Sequence, residues 1–184
     1  MPAPILQTTR LSLRPFVQAD APAVQRLAGD KRVSDPTVKI AHPYPDGAAE
    51  AWIANHESIY ESGSAVIHAI TLRESGELIG AISLVLITPQ HQRAEIGYWI
   101  GTQFWSQNFC SEAAAAVIEF ASATLGLTRI TARCLARNPA SARVLEKIGM
   151  TREGRLPKHD LHRGAYEDLL LYGICLDDRI SPQC

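Results

Sequence analysis

The alternation of apolar and polar positions along the chain changes period several times, and each change marks an element. Residues 9–16 (TRLSLRPF) set Leu11 and Leu13 on one side and polar neighbours on the other, the pattern of a half-buried strand. Asp20 then heads APAVQRLAGD as a candidate helix cap with Gly29 near the stop, and Asp46 heads a second amphipathic stretch carrying Ala49, Trp52, Ile53 and Ile59. A proline-rich loop, 34–45, joins them. Two β-branched and apolar runs, 64–72 and 77–88, flank Arg-Glu-Ser-Gly and predict a hairpin, with a further strand at 94–100. From about 108 to 125 the sequence is strongly helical, with Ser111 as its expected cap and Gly126 as its stop. A strand over 129–135, a helix over about 140–148 ending at Gly149, and two late strands near 151–160 and 166–175 complete the series. No repeat or low-complexity linker divides it, so one mixed α/β domain is expected over residues 1–176, followed by a loose tail, 177–184.

Composition narrows the partners more than the fold. With 184 residues, 46% of them hydrophobic, the chain can bury a full core. Lys plus Arg (18) against Asp plus Glu (19) leaves a net charge of -1, so no basic field collects nucleic acid or an anionic membrane. The longest nearly apolar stretch, 78–87, is about half the roughly 20 residues that span a bilayer, and MPAPILQTTR lacks a basic segment followed by an apolar run. Cys110, Cys134, Cys175 and Cys184 are scattered without a metal-ligand spacing, which fits reduced thiols and a cytoplasmic location. His159 and His162 form a lone i, i+3 pair without further ligands, and no metal is expected.

The segment that carries chemistry is 94–120, AEIGYWIGTQFWSQNFCSEAAAAVIEF. A strand enters a loop of small and polar residues, and the loop opens directly into a helix whose first amides lack intrahelical partners and can bind phosphate oxygens. Four alanines, Ala113 to Ala116, would let a neighbour lie close. The same residues are equally those of a capped helix packed tightly on a sheet, and local pattern leaves both readings open.

Four ordered blocks resolve the choice: Thr9 to Phe16, then AEIGYWIG, then a Trp-led loop ending Ser-Glu-Ala, then NPASARVLEKIGM from Asn138 to Met150. Together they resemble the GCN5-related N-acetyltransferases (GNAT), in particular the ribosomal-protein alanine acetyltransferase (RimJ/RimL-like) branch, over nearly the whole chain. The resemblance implies a single-domain fold, a strongly bent mixed sheet of six or seven strands with helices on both faces. It implies acetyl-CoA as co-substrate, its pyrophosphate held by Trp105, Ser106, Gln107, Asn108, Phe109, Cys110 and Ser111, and its pantetheine paired with Tyr98, Trp99 and Ile100. It further assigns Asn138 to the pantetheine, Arg143 to a phosphate, and Ser141 to the neighbourhood of the thioester sulfur. Relatives usually read Trp-Gly-Lys-Gly-Tyr-Ala-Thr-Glu where this chain has WSQNFCSE, so both loop glycines and the lysine are replaced. The wider superfamily often places a tyrosine four residues beyond the Ser141 position to protonate the leaving thiolate; here Leu145 stands there.

Glu95 is the expected base. Strand alternation sets Glu95, Gly97 and Trp99 opposite Ile96, Tyr98 and Ile100, and the competing reading of Glu95 is an ion pair with Arg93 or another cation. His42 and Tyr44, in the rigid His-Pro-Tyr-Pro loop, are candidates for the substrate side. The function expected by resemblance is acetyl transfer to a primary amine, at a protein or peptide N-terminus. The alternatives are a small-molecule amine acceptor or a non-catalytic acyl-CoA-binding protein. A homodimer through a strand edge or helix face is compatible with the sequence.

Overall fold

A computed structural model describes residues 3–37 and 39–176. The strands are β1 (Leu6–Gln7), β2 (Leu11–Arg14), β3 (Val66–Leu72), β4 (Leu78–Thr88), β5 (Arg93–Ile100), β6 (Arg129–Leu135), β7 (Thr151–His162) and β8 (Ala165–Cys175). They form one eight-stranded sheet in the order β1-β2-β3-β4-β5-β6-β8-β7. Every neighbouring pair is antiparallel except β5–β6. The count exceeds the six or seven expected because β1, two residues long, is too short to leave a periodic signal. The segment expected as a tail, 177–184, lies outside the described residues.

The helices are α1 (Ala21–Ala28), α2 (Lys31–Ser34), α3 (Ala48–Ala54), α4 (His56–Glu61), α5 (Phe109–Ala123) and α6 (Pro139–Lys147). They cover both faces. On one, α5 and α6 bury Ala113, Ala114, Val117, Ile118 and Leu145 against Leu11, Leu13, Ile70, Ile82 and Ile96. On the other, α1 and α3 bury Val24, Ala28, Ala49 and Ile53 with Phe16, Ala69 and Ala81. Ala113 and Ala114 are fully buried. Their short side chains therefore seat α5 close to the sheet, as the packed-helix reading requires.

Two expected caps are corrected, and a third, Asp20, holds its position without the capping bond. The N-cap of α5 is Asn108, in the left-handed region at φ 64°, and Ser111 falls inside the first turn. The chain turns into the helix early because Ser106, at φ 61°, is left-handed as well. Gly47, at φ 75°, caps α3, while Asp46 accepts a hydrogen bond from Gln25 at 2.8 Å; the predicted second helix also breaks at Asn55 into α3 and α4. Asp20 stands at the head of α1, but its carboxylate takes Arg14 (2.7 and 2.8 Å) and the Val17 amide (2.9 Å) instead of capping. Those bonds tie β2 to α1.

Candidate active site

The parallel pairing of β5 with β6 lasts only from Arg93↔Arg129 to Glu95↔Thr131. Beyond it β5 stays on β4 as far as Ile100, while β6 stays on β8. Gly80 of β4 lets the end of β5 lie that tightly, since a Cβ there would sit 2.3 Å from the Trp99 carbonyl oxygen. The parting strands open a cleft of about 1210 Å³, lined by β4, β5, β6, the 104–111 loop, α6, and on the other side α1, α3 and residues 36–45. The main-chain edge of residues 96–100 faces β6 without pairing to it.

At one end of the cleft lies the turn into α5. Left-handed backbone at Ser106 and Asn108 does the work of the two missing glycines, Asn being among the L-residues that tolerate it. The amides of Phe109, Cys110 and Ser111 then begin a fifteen-residue helix, where the dipole favours an anion. Lys147 of α6 donates from Nζ to Asn108 Oδ1 at 2.6 Å. Arg143, one turn earlier on the same helix, also lines the cleft. The positive charge absent from the loop is thus supplied from α6. The resemblance assigned Arg143 to a phosphate, but Lys147, four residues on, was missed: its i, i+4 spacing was visible, and nothing in the sequence aimed it at this turn.

The other loop residues divide. Phe109 is buried beneath Arg10, whose guanidinium carbon is 4.4 Å from the ring centroid, so only its main chain is available to a ligand. The Trp105 indole donates to the Ile100 carbonyl at 2.7 Å and bridges loop to strand, its ring 46% exposed. The Gln107 amide donates back to the Gln103 carbonyl at 3.2 Å and does not line the cleft.

At the centre, Asn138 caps α6 by accepting from the Ser141 amide (3.1 Å) and donates to the Pro36 carbonyl (3.3 Å). The Tyr98 hydroxyl donates to the Ser141 carbonyl (3.1 Å) and stands 3.1 Å from Ser141 Oγ. Burial raises the Tyr98 phenol far above its ordinary value, with the nearby Cys110 adding to the effect, so it is protonated at neutral pH. Leu145 is fully buried in the core, and the hydroxyls at the centre are those of Ser141 on α6 and Tyr98 on β5. Strand periodicity put Tyr98 on the face opposite Glu95 but could not show that it reaches across to Ser141. Burial also raises the Cys110 and Cys134 thiols, which favours their protonated form.

Glu95 also lines the cleft. Both of its oxygens accept from Arg133 of β6, at 3.0 and 3.1 Å, so its cation partner is Arg133 rather than Arg93. Asp160 of β7 and Glu146 of α6 are the other carboxylates on the lining. On the far side, Tyr44 lines the cleft with Trp52 and Trp99, whereas His42 turns to the Gly29 carbonyl (3.2 Å) and lies in a side hollow of about 290 Å³ with Lys39, His162 and Arg163. His162 is buried with Nε2 2.9 Å from the Asp35 carbonyl, and His159 is exposed 4.0 Å from Asp160. Among the described residues no three His, Cys, Asp or Glu side chains gather where they could hold a metal ion. Among them, too, no helix is long and apolar enough to cross a membrane.

A sheet parted beside a helix N-terminus, with cations at the turn and a hydroxyl pair at the centre, is a frame that can seat a long ligand with an anionic end. Comparison with known proteins makes the class specific. The profile of the acetyltransferase (GNAT) domain matches residues 10–151. The uncharacterized N-acetyltransferase YoaA of Bacillus subtilis is 32% identical over 93% of this chain and 96% of its own length. The ribosomal-protein-serine acetyltransferase of Escherichia coli is 35% identical over 56% of this chain and 58% of its own. A GNAT-family acetyltransferase structure from Bacillus anthracis superposes with a TM-score of 0.83 at 25% identity, covering 94% of this chain and 98% of that one. The chain belongs to the GNAT family and is an acetyl-CoA-dependent N-acetyltransferase.

Proposed function

We propose that the enzyme acetylates the α-amine of a protein or peptide N-terminus, with the cleft between β5 and β6 as the site where acetyl-CoA and amine meet. The observation that carries this reading is the parting of β5 from β6 after Glu95, opening directly onto the first turn of α5. The residues present fit acetyl-CoA. The amides of the Ser106–Ser111 turn, with Lys147 and Arg143 beside it, would hold the phosphates, and the free edge at Tyr98, Trp99 and Ile100, with Asn138, would hold the pantetheine. When bound, acetyl-CoA supplies the activated acetyl group.

The chain's own residues then have three tasks. An α-amine has a pKa of roughly 7.7 to 8.0 against about 10.4 for Lys, so little basic help makes it nucleophilic. Glu95, held in place by Arg133, is the base we assign, taking the amine's proton directly or through water. Main-chain amides at the parted edge of β5 stabilise the carbonyl oxygen as it gains charge. Ser141 Oγ returns a proton to the departing sulfur, with the Tyr98 hydroxyl 3.1 Å behind it as the reserve. The free thiols Cys110, Cys134 and Cys175 support a cytoplasmic location.

Free-thiol release from acetyl-CoA, measured with N-terminal peptides, lysine peptides and polyamines, tests the assignment. Fastest turnover with peptides bearing a free α-amine supports it. Turnover confined to polyamines would replace it with a small-molecule acceptor.

A further inference from the structure

We infer that the acceptor carries its primary amine on a large apolar or aromatic body, so that peptides beginning with Phe or Leu outrun those beginning with Gly, and polyamines are poor acceptors. The inference rests on the reading of the cleft as the acetyl-CoA and amine site, and it names the chemistry of the acceptor.

The half of the cleft away from α5 and α6 is walled by apolar side chains, with four charged groups also on its lining. Its walls are Val24 and Ala28 of α1, Trp52 of α3, and Ile40 and Tyr44 of the connecting loop. Its floor is one face of β4 and β5, where Ala81 pairs with Trp99, Ser83 with Gly97 and Val85 with Glu95. The middle pair makes a recess. A Cβ added at Gly97 would meet only Ser83 Oγ, at 3.6 Å. Trp99 and Glu95 stand two residues to either side of it on the same face, each about 7 Å along the strand. An amine placed at Glu95 therefore carries its body over the recess toward Trp99.

Trp52 is a fixed wall. Its ring packs edge-on against Phe16 (centroids 5.0 Å apart) and His56 (4.4 Å, interplanar angle 90°). Among the described residues neither the Trp52 nor the Trp99 indole N–H has a protein acceptor, whereas that of Trp105 has one. A wall of this kind favours a flat or branched apolar group over a flexible chain.

Charge argues against a polyamine. The charged groups on this half are Glu95 and Asp160 against Arg133 and Lys39, which sum to zero, and both oxygens of Glu95 are engaged by Arg133. Several ammonium groups drawn from water need several carboxylates to receive them, and beyond Glu95, which takes the reacting amine, only Asp160 stands on this half.

The experiment measures kcat/KM by free-thiol release at saturating acetyl-CoA. The acceptors are peptides identical except for a first residue of Phe, Leu, Ala or Gly, together with phenethylamine and spermidine. Burying a large apolar side chain is worth roughly 10- to 150-fold, and in an open cleft the lower figure is expected for Phe over Gly, mostly in KM. Trp52→Ala should bring that ratio toward one. Gly97→Val, whose Cβ would meet no backbone atom, fills the recess and should do the same should Trp52→Ala fail to fold. Phenethylamine matching the Phe peptide identifies a small aromatic amine as the source of this chemistry, and a slower rate identifies a peptide; both outcomes support the inference. Gly or Ala peptides, or spermidine, equal to the Phe peptide would overturn it while leaving the acetyltransferase assignment of the cleft intact, as would a Phe to Gly ratio unmoved by a folded variant. Absence of turnover with every amine would remove the reading of the cleft, and the inference with it.

Discussion

Asn108 concentrates the argument about the CoA turn into one position. Its φ of 64° is one that proline, locked near -65°, cannot reach, and its amide lies at the mouth of α5. Asn108→Pro thus swings the turn away and removes a donor from the phosphate site. Losing one hydrogen bond to a charged group costs about 1.5 to 3 kcal/mol, which is roughly a 10- to 150-fold rise in the dissociation constant for acetyl-CoA. Asn108→Gly acts in the other direction. It relieves a left-handed cost of up to about 1 kcal/mol and gives up the 2.6 Å bond from Lys147, an exposed interaction worth about 0.2 to 1 kcal/mol. The two nearly cancel in stability, and Lys147 is released toward the phosphates, so binding should be equal or tighter. Lys147→Met should weaken acetyl-CoA about tenfold but leave acetyl-pantetheine, which has no pyrophosphate, unchanged. Calorimetric titration of each variant, with the fold checked by circular dichroism, reads all three. A folded Asn108→Pro that binds as well as the parent would refute a pyrophosphate site at this turn.

The remaining predictions concern catalysis and stability. Glu95→Gln should lower turnover about 10²- to 10⁴-fold with little change in acetyl-CoA affinity, and with an α-amine acceptor the loss should shrink at high pH, where free amine is abundant; an undiminished rate would remove Glu95 as the base. Ser141→Ala and Tyr98→Phe should slow thiol release more than they weaken CoA binding, while Asn138→Ala should do the reverse; equal losses of rate and affinity in Ser141→Ala would reduce Ser141 to an anchor. Burial raises the Asp20 carboxyl, but the Arg14 and Val17 bonds more than offset it and hold it below its ordinary value. Its stabilisation is therefore complete above the unfolded value near 3.9 and is lost as pH falls through the lower folded value. Asp20→Asn should cost about 2 to 3 kcal/mol at pH 7, less than a fully buried pair because Arg14 is 27% exposed, and the two proteins should converge in acid; urea melts at pH 7 and pH 3 check both.

Much of this protein was legible without coordinates, because its signals are local. The 3.6-residue and two-residue periods marked α5, α6 and β3 to β6 to within a few residues, and the ordered blocks from Thr9 to Met150 identified the family and hence the layout of the sheet. Local pattern failed where geometry depends on backbone angle. Asn108 and Ser106 adopt positive φ without being glycine, which moved the cap of α5 from Ser111 to Asn108. It failed again where the deciding contact spans the fold. Lys147 meets Asn108 across 39 positions, Tyr98 meets Ser141 across 43, and Glu95 meets Arg133 across 38. Glu95 and Tyr98 were legible in sequence as residue types on a predicted face, and none of these pairs had its partner written beside it. A side chain's period fixes which way it points, but only the crossing of β5, β6 and α6 decides what it meets.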